Sequence, residues 1–245
     1  MDVEFDLVAD WTRAAVERLG DDYAIPAGCR GSASPSALAW LAEGLEFGPG
    51  TTLLDLGAGI GGPAAWAARR YGVRPVLVDP MEGACRAAAR LFGLPVVRAE
   101  GLAVPLRTAS IGTAWCLGVL CTLEDKAGLL GELHRILAVG GRLGLLVLVA
   151  QTPHLDPVPE GNSFPSQAEL VAVLEQSGFA IEEQIEDPGD TPASWTRRTD
   201  RVDRSIRAEH QHDRAYTEAM EQRRRLGKLL TTAQVSTQLL HAVRS

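Results

Sequence analysis

The chain has 245 residues, 46% hydrophobic and 22% charged, the make-up of an ordinary globular protein long enough to bury a full core without staples. Its formal net charge of −7 argues against a broad nucleic-acid surface, which needs a clustered positive face. Cys29, Cys85, Cys116 and Cys121 form no C-x-x-C pair and no His/Cys cluster has metal-site spacing, so reduced thiols and no bound metal are expected.

The first residues, MDVEFDLVADW, are acidic and lack the basic-then-apolar order of a signal peptide. The longest apolar run, LGLLVLVA from Leu143 to Ala150, is far too short to cross a bilayer and reads as a buried strand. A soluble, cytoplasmic protein is expected.

Taken in order, residues 4–19 carry Phe5, Val8, Ala9, Thr12, Val16 and Leu19 at three- and four-residue spacing and predict a helix. DDYAIPAGCRGSASP reads as a loop. Ser34 is placed to cap a second helix, with Pro35 in its first turn, running to about Phe47. An alternation then begins: strand TTLLDL, glycine turn 57–62, helix PAAWAARRY, strand RPVLVD ending at Asp79, helix MEGACRAAARLF, strand LPVVRA. Strand IGTAWCLGVL, helix EDKAGLLGELHRIL, a turn at Gly140–Gly141 and strand RLGLLVLVA follow. Near-continuous apolar strands separated by helices predict parallel βαβ units, covered on both faces, in a doubly wound α/β sheet. After a proline-rich loop, Ser166 and Glu169 make a capping box for helix QAELVAVLEQS. FAIEEQIED is a sixth strand, residues 192–229 form two arginine-rich helices, and AQVSTQLLHAVR is a seventh strand.

The stretch LLDLGAGIGGPAAW places Gly57, Gly59 and Gly62 in the pattern G-x-G-x-x-G between a strand and a helix. A helix N-terminus with glycines offers free N–H groups and close backbone approach, so this is a ligand loop. Any Rossmann-type nucleotide site needs that much. The acids discriminate better. Asp79, 20 residues after Gly59, suits ribose hydroxyls. Asp55 would repel a pyrophosphate and suits a ligand carrying positive charge. Glu100 follows the third strand and could accept from an adenine amino group.

Residues 51–150 resemble the class I SAM-dependent methyltransferases, in their small-molecule branch. LLDLGAGIGG is similar to their first motif, LVDPM to the acidic end of their second strand, RAEGLAVPL to their D-A-x-x-L-P-F stretch, and WCLGVLCTLEDKAGLLGELHRILAVGGRL to their strand-four-to-five region. The resemblance implies a seven-stranded sheet of order 3-2-1-4-5-7-6 with strand 7 antiparallel. It implies S-adenosyl-L-methionine (SAM) as cofactor and a small-molecule acceptor, secondary metabolites among the candidates. Asp55, Gly57, Ala58 and Gly59 would line the methionine part; Asp79 would bind the ribose; Pro80 and Met81 would pack on adenine. Glu100, Gly101 and Leu102 would border the adenine edge, Cys116 and Leu117 would offer backbone, and Tyr23 would cap the carboxylate end. One domain is expected, with residues 1–48 as a helical lid, 49–191 as the SAM-binding core, 192–229 as an insert and 230–245 as the closing strand. The competing readings are an FAD- or NAD-dependent oxidoreductase, because GAGIGG also suits flavin enzymes, and a SAM-binding protein of this fold that transfers no methyl.

For proton transfer, His154 follows the fifth strand at the crevice side and is the candidate base. His210 and His212 lie between the insert helices; His134 and His241 read as structural. Trp11 and Trp195 are candidate walls of a substrate pocket, and Trp40 reads as core. The insert 193–228 has nine arginines and one lysine against three aspartates and three glutamates, a count of +4. Its ordinary reading is solvated faces with local ion pairs, such as Arg197 and Arg201 with Asp200 and Asp203. Its sharper reading is a pocket for an anionic substrate group.

Overall fold

The computed structural model describes residues 2–30 and 33–245, with side chains from Asp6 on. Helix α1 spans Asp2–Leu19, and a single 3-10 turn at Asp21–Tyr23 leads into the short α2, Ala24–Gly28. The segment expected as a loop is therefore partly helical, and Ala24 to Cys29 are all buried: apolar Ala-Ile-Pro-Ala gains more from packing than the flanking glycines cost. Helix α3, Pro35–Gly44, begins where the Ser34 hydroxyl accepts from the Ala37 N–H at 3.0 Å.

Strands and helices then alternate as β1 (Thr52–Leu56), α4 (Gly62–Tyr71), β2 (Arg74–Asp79), α5 (Glu82–Phe92), β3 (Val96–Arg98), β4 (Ile111–Leu117), α6 (Lys126–Ile136) and β5 (Leu137–Ala150). The expected turn at Gly140–Gly141 instead lies inside β5. The β4–β5 register shifts between Ile111 and Thr113, and Gly140 has φ +72°, so the glycines form an irregularity within the strand. The chain continues through α7 (Gln167–Gln176), β6 (Phe179–Glu186), α8 (Ala193–His210), α9 (Arg214–Thr231) and β7 (Val235–Arg244).

The seven strands lie in the order β3-β2-β1-β4-β5-β7-β6, with β1 to β5 parallel and β7 antiparallel to both neighbours. Successive strand side chains point to opposite faces. Leu54 and Leu56 pack with Leu129, Leu133 and Leu170 from α6 and α7. Leu53 and Trp115 pack with Leu38 and Leu41 of α3 on the other face. Asp55, two residues from Leu53, shares the α3 face.

A further cluster joins Ala15 and Val16 of α1, Ala24 and Ala27 of α2, and Val202 and Ile206 of α8. Helix α1 runs alongside α5: Asp6 Oδ1 accepts from the Gly83 N–H at 2.7 Å, Arg86 pairs with Asp10 at 3.0 Å, and Arg90 pairs with Glu17 at 3.0 Å. The N-terminal helices and the insert thus form one helical cap beside the carboxyl end of β2.

Candidate active site

The β1–β4 ladder ends at the pair Asp55↔Trp115, while β1–β2 continues to Leu56↔Val78 and β4–β5 to Leu117↔Leu146. The sheet therefore splits between β1 and β4 at their carboxyl ends. This is the point where strand order reverses, and where open α/β sheets bind ligands. Cys116 and Leu117 lie past the last paired residue, along the edge of the split.

The glycine loop closes one side of this crevice. Gly57 and Ala58 donate to the Val78 carbonyl at 2.8 and 3.2 Å, and Gly59 donates to Asp79 Oδ2 at 2.7 Å. Gly57 has φ +73°, and a Cβ there would collide with Val119 Cγ2, so both backbone and packing demand glycine. Gly59 has φ +54° and open space on its Cβ side, which leaves room for a ligand. Gly62 has a different task from the one its place in the motif suggests: a Cβ there would strike Gly28 and Cys29, so it lets α2 sit directly on the start of α4. The left-handed turn before α4 belongs to Gly61, φ +82°.

Asp55 is 2% exposed, and its Oδ2 has no hydrogen-bond partner among the described residues. Its register neighbour Trp115 is fully buried with an equally unpartnered Nε1. The indole N–H lies close enough to oppose ionisation loss at Asp55, yet its geometry falls short of a hydrogen bond. Burial pushes the Asp55 carboxyl up to about 7, the Trp115 N–H lowers it, and the charge on Asp79 raises it further. The Cys29 thiol, covering Asp55 from α2, is driven well above its usual range by burial and by that carboxyl.

Asp79, 6% exposed, ends β2. Its Oδ2 accepts from Gly59, and its Oδ1 accepts from the Met81 N–H at 2.9 Å. Burial raises its pKa, those two N–H groups pull it down, and Asp6 and Glu100 raise it again. Each oxygen keeps a lone pair for a further donor. Glu100 is brought alongside by the Ala99 N–H, which donates to the Asp79 carbonyl at 3.2 Å. Glu100 and Leu102 are exposed in that turn, and Pro80 and Met81 are half-buried beside Asp79.

The structure thus assembles Asp55, the glycine loop, Asp79 to Met81, Glu100 to Leu102 and the end of β4 around one crevice. Tyr23 packs into the helical cap with Ala24 and Val202. His154 is exposed in the loop after β5, its carbonyl accepting from the Thr152 hydroxyl at 3.0 Å. Trp11 stacks on His210 at 4.4 Å and Trp40 on the buried His241 at 3.8 Å. Local pairing in the insert forms at Arg214 with Glu218 and at Arg224 and Arg225 with Glu221, while Asp203 instead holds Arg30 at 2.6 Å and Arg223 at 2.8 Å. A surface hollow of about 490 Å³, lined by Ser36, Trp66, Arg70 and Asp190 among others, contains none of the crevice acids. Sequence reasoning missed Asp6, Gly28, Gly61 and Trp115. Trp115 carries no sequence signal, because a tryptophan inside an apolar strand reads as core until the register sets it beside Asp55.

This arrangement has known counterparts. Residues 54–145 match the methyltransferase domain family. That stretch is thus similar to a methyltransferase domain, and the fold around it is shared with solved methyltransferase structures. The order with an antiparallel β7 between β5 and β6 departs from the 3-2-1-4-5-6 sheet of dinucleotide enzymes.

Among particular relatives, the methyltransferase GfsG of Streptomyces halstedii is 30% identical over 119 residues, 45% of this chain and 42% of that protein. The chain spans less than half the length of the curated relatives it matches. The [4+2]-cyclase SpnF shares the fold with a TM-score of 0.75 and 20% identity, over 99% of this chain and 94% of its own. Geranyl diphosphate C-methyltransferase from Streptomyces coelicolor A3(2), solved with Mg2+, geranyl diphosphate and S-adenosyl-L-homocysteine, shares it with a TM-score of 0.61 and 18% identity, over 85% of this chain and 78% of that one.

Proposed function

We propose that this chain binds SAM in the β1/β4 crevice and transfers its methyl group to a small-molecule acceptor. One observation carries the reading: a buried carboxyl, Asp55, has an unpartnered oxygen at the mouth of the split sheet. Such a group is costly unless a cation meets it, and a diphosphate there would add repulsion. The methionine ammonium and the sulfonium of SAM supply the missing positive charge.

Asp55, Gly57, Ala58 and Gly59 line the methionine side in this reading, with Cys116 and Leu117 contributing backbone and Tyr23 closing the carboxylate end. Asp79 accepts from the ribose hydroxyls on the lone pairs left by Gly59 and Met81. Pro80 and Met81 pack on the adenine, and Glu100, Gly101 and Leu102 border its edge. SAM supplies an already activated methyl, so the protein's part is to position the acceptor in line and exclude water. Helix α2, seated over Gly62 and Asp55, does the excluding, and the N-terminal helices with the insert act as the lid. Where the acceptor is a hydroxyl, His154 takes its proton, an exposed imidazole being free to meet an incoming substrate.

Isothermal titration with SAM, S-adenosyl-L-homocysteine, NAD and FAD tests the cofactor. Binding of the first two and not the others is expected; binding of a dinucleotide alone overturns the reading. A second reading has one observation in its favour. The cyclase SpnF matches this chain nearly end to end, and a scaffold that shapes a substrate for a reaction other than methyl transfer also keeps a cofactor cradle and needs no base. Label transfer from methyl-labelled SAM to an acceptor panel separates the two.

A further inference from the structure

We propose that Arg30 and Arg223, held together by Asp203, form a subsite for an anionic group, a carboxylate or phosphate, on the acceptor molecule. The inference deepens the methyltransferase reading by naming the acceptor's charge, and rests on that reading for its link to catalysis.

Arg30 follows Gly28 and Cys29, which lie against Gly62 and Asp55. It therefore leaves the crevice cover directly and turns toward the insert. There its Nη2 stands 2.6 Å from Asp203 Oδ1 on α8, while Arg223 Nη1 on α9 stands 2.8 Å from Asp203 Oδ2. Two guanidinium groups share one carboxylate, so among the described residues one positive charge is left without a counter-ion. Arg30 is 18% exposed, Asp203 27% and Arg223 53%, so the charge sits half-buried with one side open.

The contact of Arg30 with Asp203 is short but off the N–H axis. Both Nε and Nη2 of Arg30 are shielded from solvent and have no aligned hydrogen-bond partner among the described residues. Burial lowers the Arg30 pKa, Asp203 raises it and Arg223 lowers it. A guanidinium has five donors in a fixed fork and stays charged, so unfilled buried donors call for a partner rather than for proton loss. An internal strut tying α2 to the insert needs one aligned Arg–carboxylate pair. A second arginine on the same acid and a misaligned first one are what a site awaiting another pair of oxygens requires. The surroundings agree: segment 193–228 counts +4 in a chain of net charge −7, so the excess is local.

The test uses the full chain and four probes at fixed ionic strength: inorganic phosphate, benzoate, chloride and neutral benzamide. Wild-type protein is expected to take phosphate and benzoate weakly and to ignore the other two. Asp203→Asn removes the competing internal carboxylate and is expected to tighten phosphate and benzoate binding by about tenfold or more, while Arg223→Gln, at a half-exposed position, weakens it by a similar factor. A strut gives the opposite result: Asp203→Asn lowers the melting temperature and leaves phosphate affinity equal or weaker, which overturns the proposal. S-adenosyl-L-homocysteine affinity is measured on the same samples. Intact binding of that nucleoside with no anion response sinks the subsite alone. Its absence from the wild type sinks the methyltransferase reading, and the anion titration is then judged by itself.

Discussion

Replacing Asp55 with asparagine separates what the fold wants from what the ligand wants. The carboxyl sits fully buried with a pKa near 7 instead of its ordinary 3.8. Because the folded value is the higher one, the unfolded chain releases this proton first as pH rises. Stability from this group is complete below about pH 4, falls through the interval up to pH 7 and is flat above it. A shift of about 3 units corresponds to about 4 kcal/mol of destabilisation at pH 8, and to less than half of that at pH 5. Asparagine has nearly the same shape and no charge to desolvate. Asp55→Asn is therefore expected to raise urea stability markedly at pH 8 and much less at pH 5, while weakening SAM binding at both. The assay is urea unfolding with and without SAM at the two pH values. A gain of equal size at pH 5 and pH 8, or no gain at pH 8, refutes the claim that this carboxylate is held at a cost for a cation.

Four further changes probe the same structure. Asp79→Ala removes the acceptor of two backbone N–H groups and, in the proposed reading, of the ribose, and is expected to lower S-adenosyl-L-homocysteine affinity by about 2–4 kcal/mol in calorimetry; unchanged affinity puts the nucleoside elsewhere. Gly57→Ala forces a side chain into φ +73° and against Val119, with an expected loss of about 2–4 kcal/mol in urea unfolding, of which Val119→Ala in the same chain restores the packing part. His154→Ala is expected to slow methyl transfer to a hydroxyl acceptor with SAM affinity unchanged; a normal rate removes it as the base. Ser166→Ala breaks the capping box in which Ser166 and Glu169 hold each other's backbone N–H, and is expected to cost about 1 kcal/mol in thermal unfolding without touching ligand affinity.

Much of this fold can be read from the chain, because its signals are local. Ser34 and Ser166 cap helices where their spacing says they should, and Gly72 and Gly93 end α4 and α5 ahead of the next strands, although Gly140 and Gly141 fall inside β5. The antiparallel β7 followed from resemblance rather than pattern, since alternation of polarity does not give strand direction. Two features escaped because they depend on neighbours distant in sequence. Ala24 to Gly28 form a helix only because α4 and the cap bury them. Asp203 looks like a partner for neighbouring arginines on its own helix, yet pairs with Arg30 and Arg223, since the packing of α2, α8 and α9 brings those guanidinium groups nearer. The crevice acids were legible as a set; the unpartnered indole of Trp115 was not, because strand register alone places it.

The six buried polar atoms without partners among the described residues fall in three places: Asp55 with Trp115, Arg30, and His241 with Arg244 on β7. Folding alone would select against each, since a polar group taken from water without a partner loses free energy. At β7 the loss has a structural offset: His241 stacks on Trp40, and burial lowers its pKa, so it stays neutral where a charge would be worst. Asp55 has no such offset. It lies where β1 and β4 stop pairing, next to a glycine loop with open space at Gly59, and a leucine at that position would pack against Leu53 and Trp115 at no electrostatic cost. A cost kept at the point where the sheet opens, and absent from the ladders of β1 with β2 and of β4 with β5, is what the proposed role of Asp55 in holding a ligand predicts. In the proposed reading a cation beside the carboxyl pulls its pKa back down from about 7 and holds it ionised.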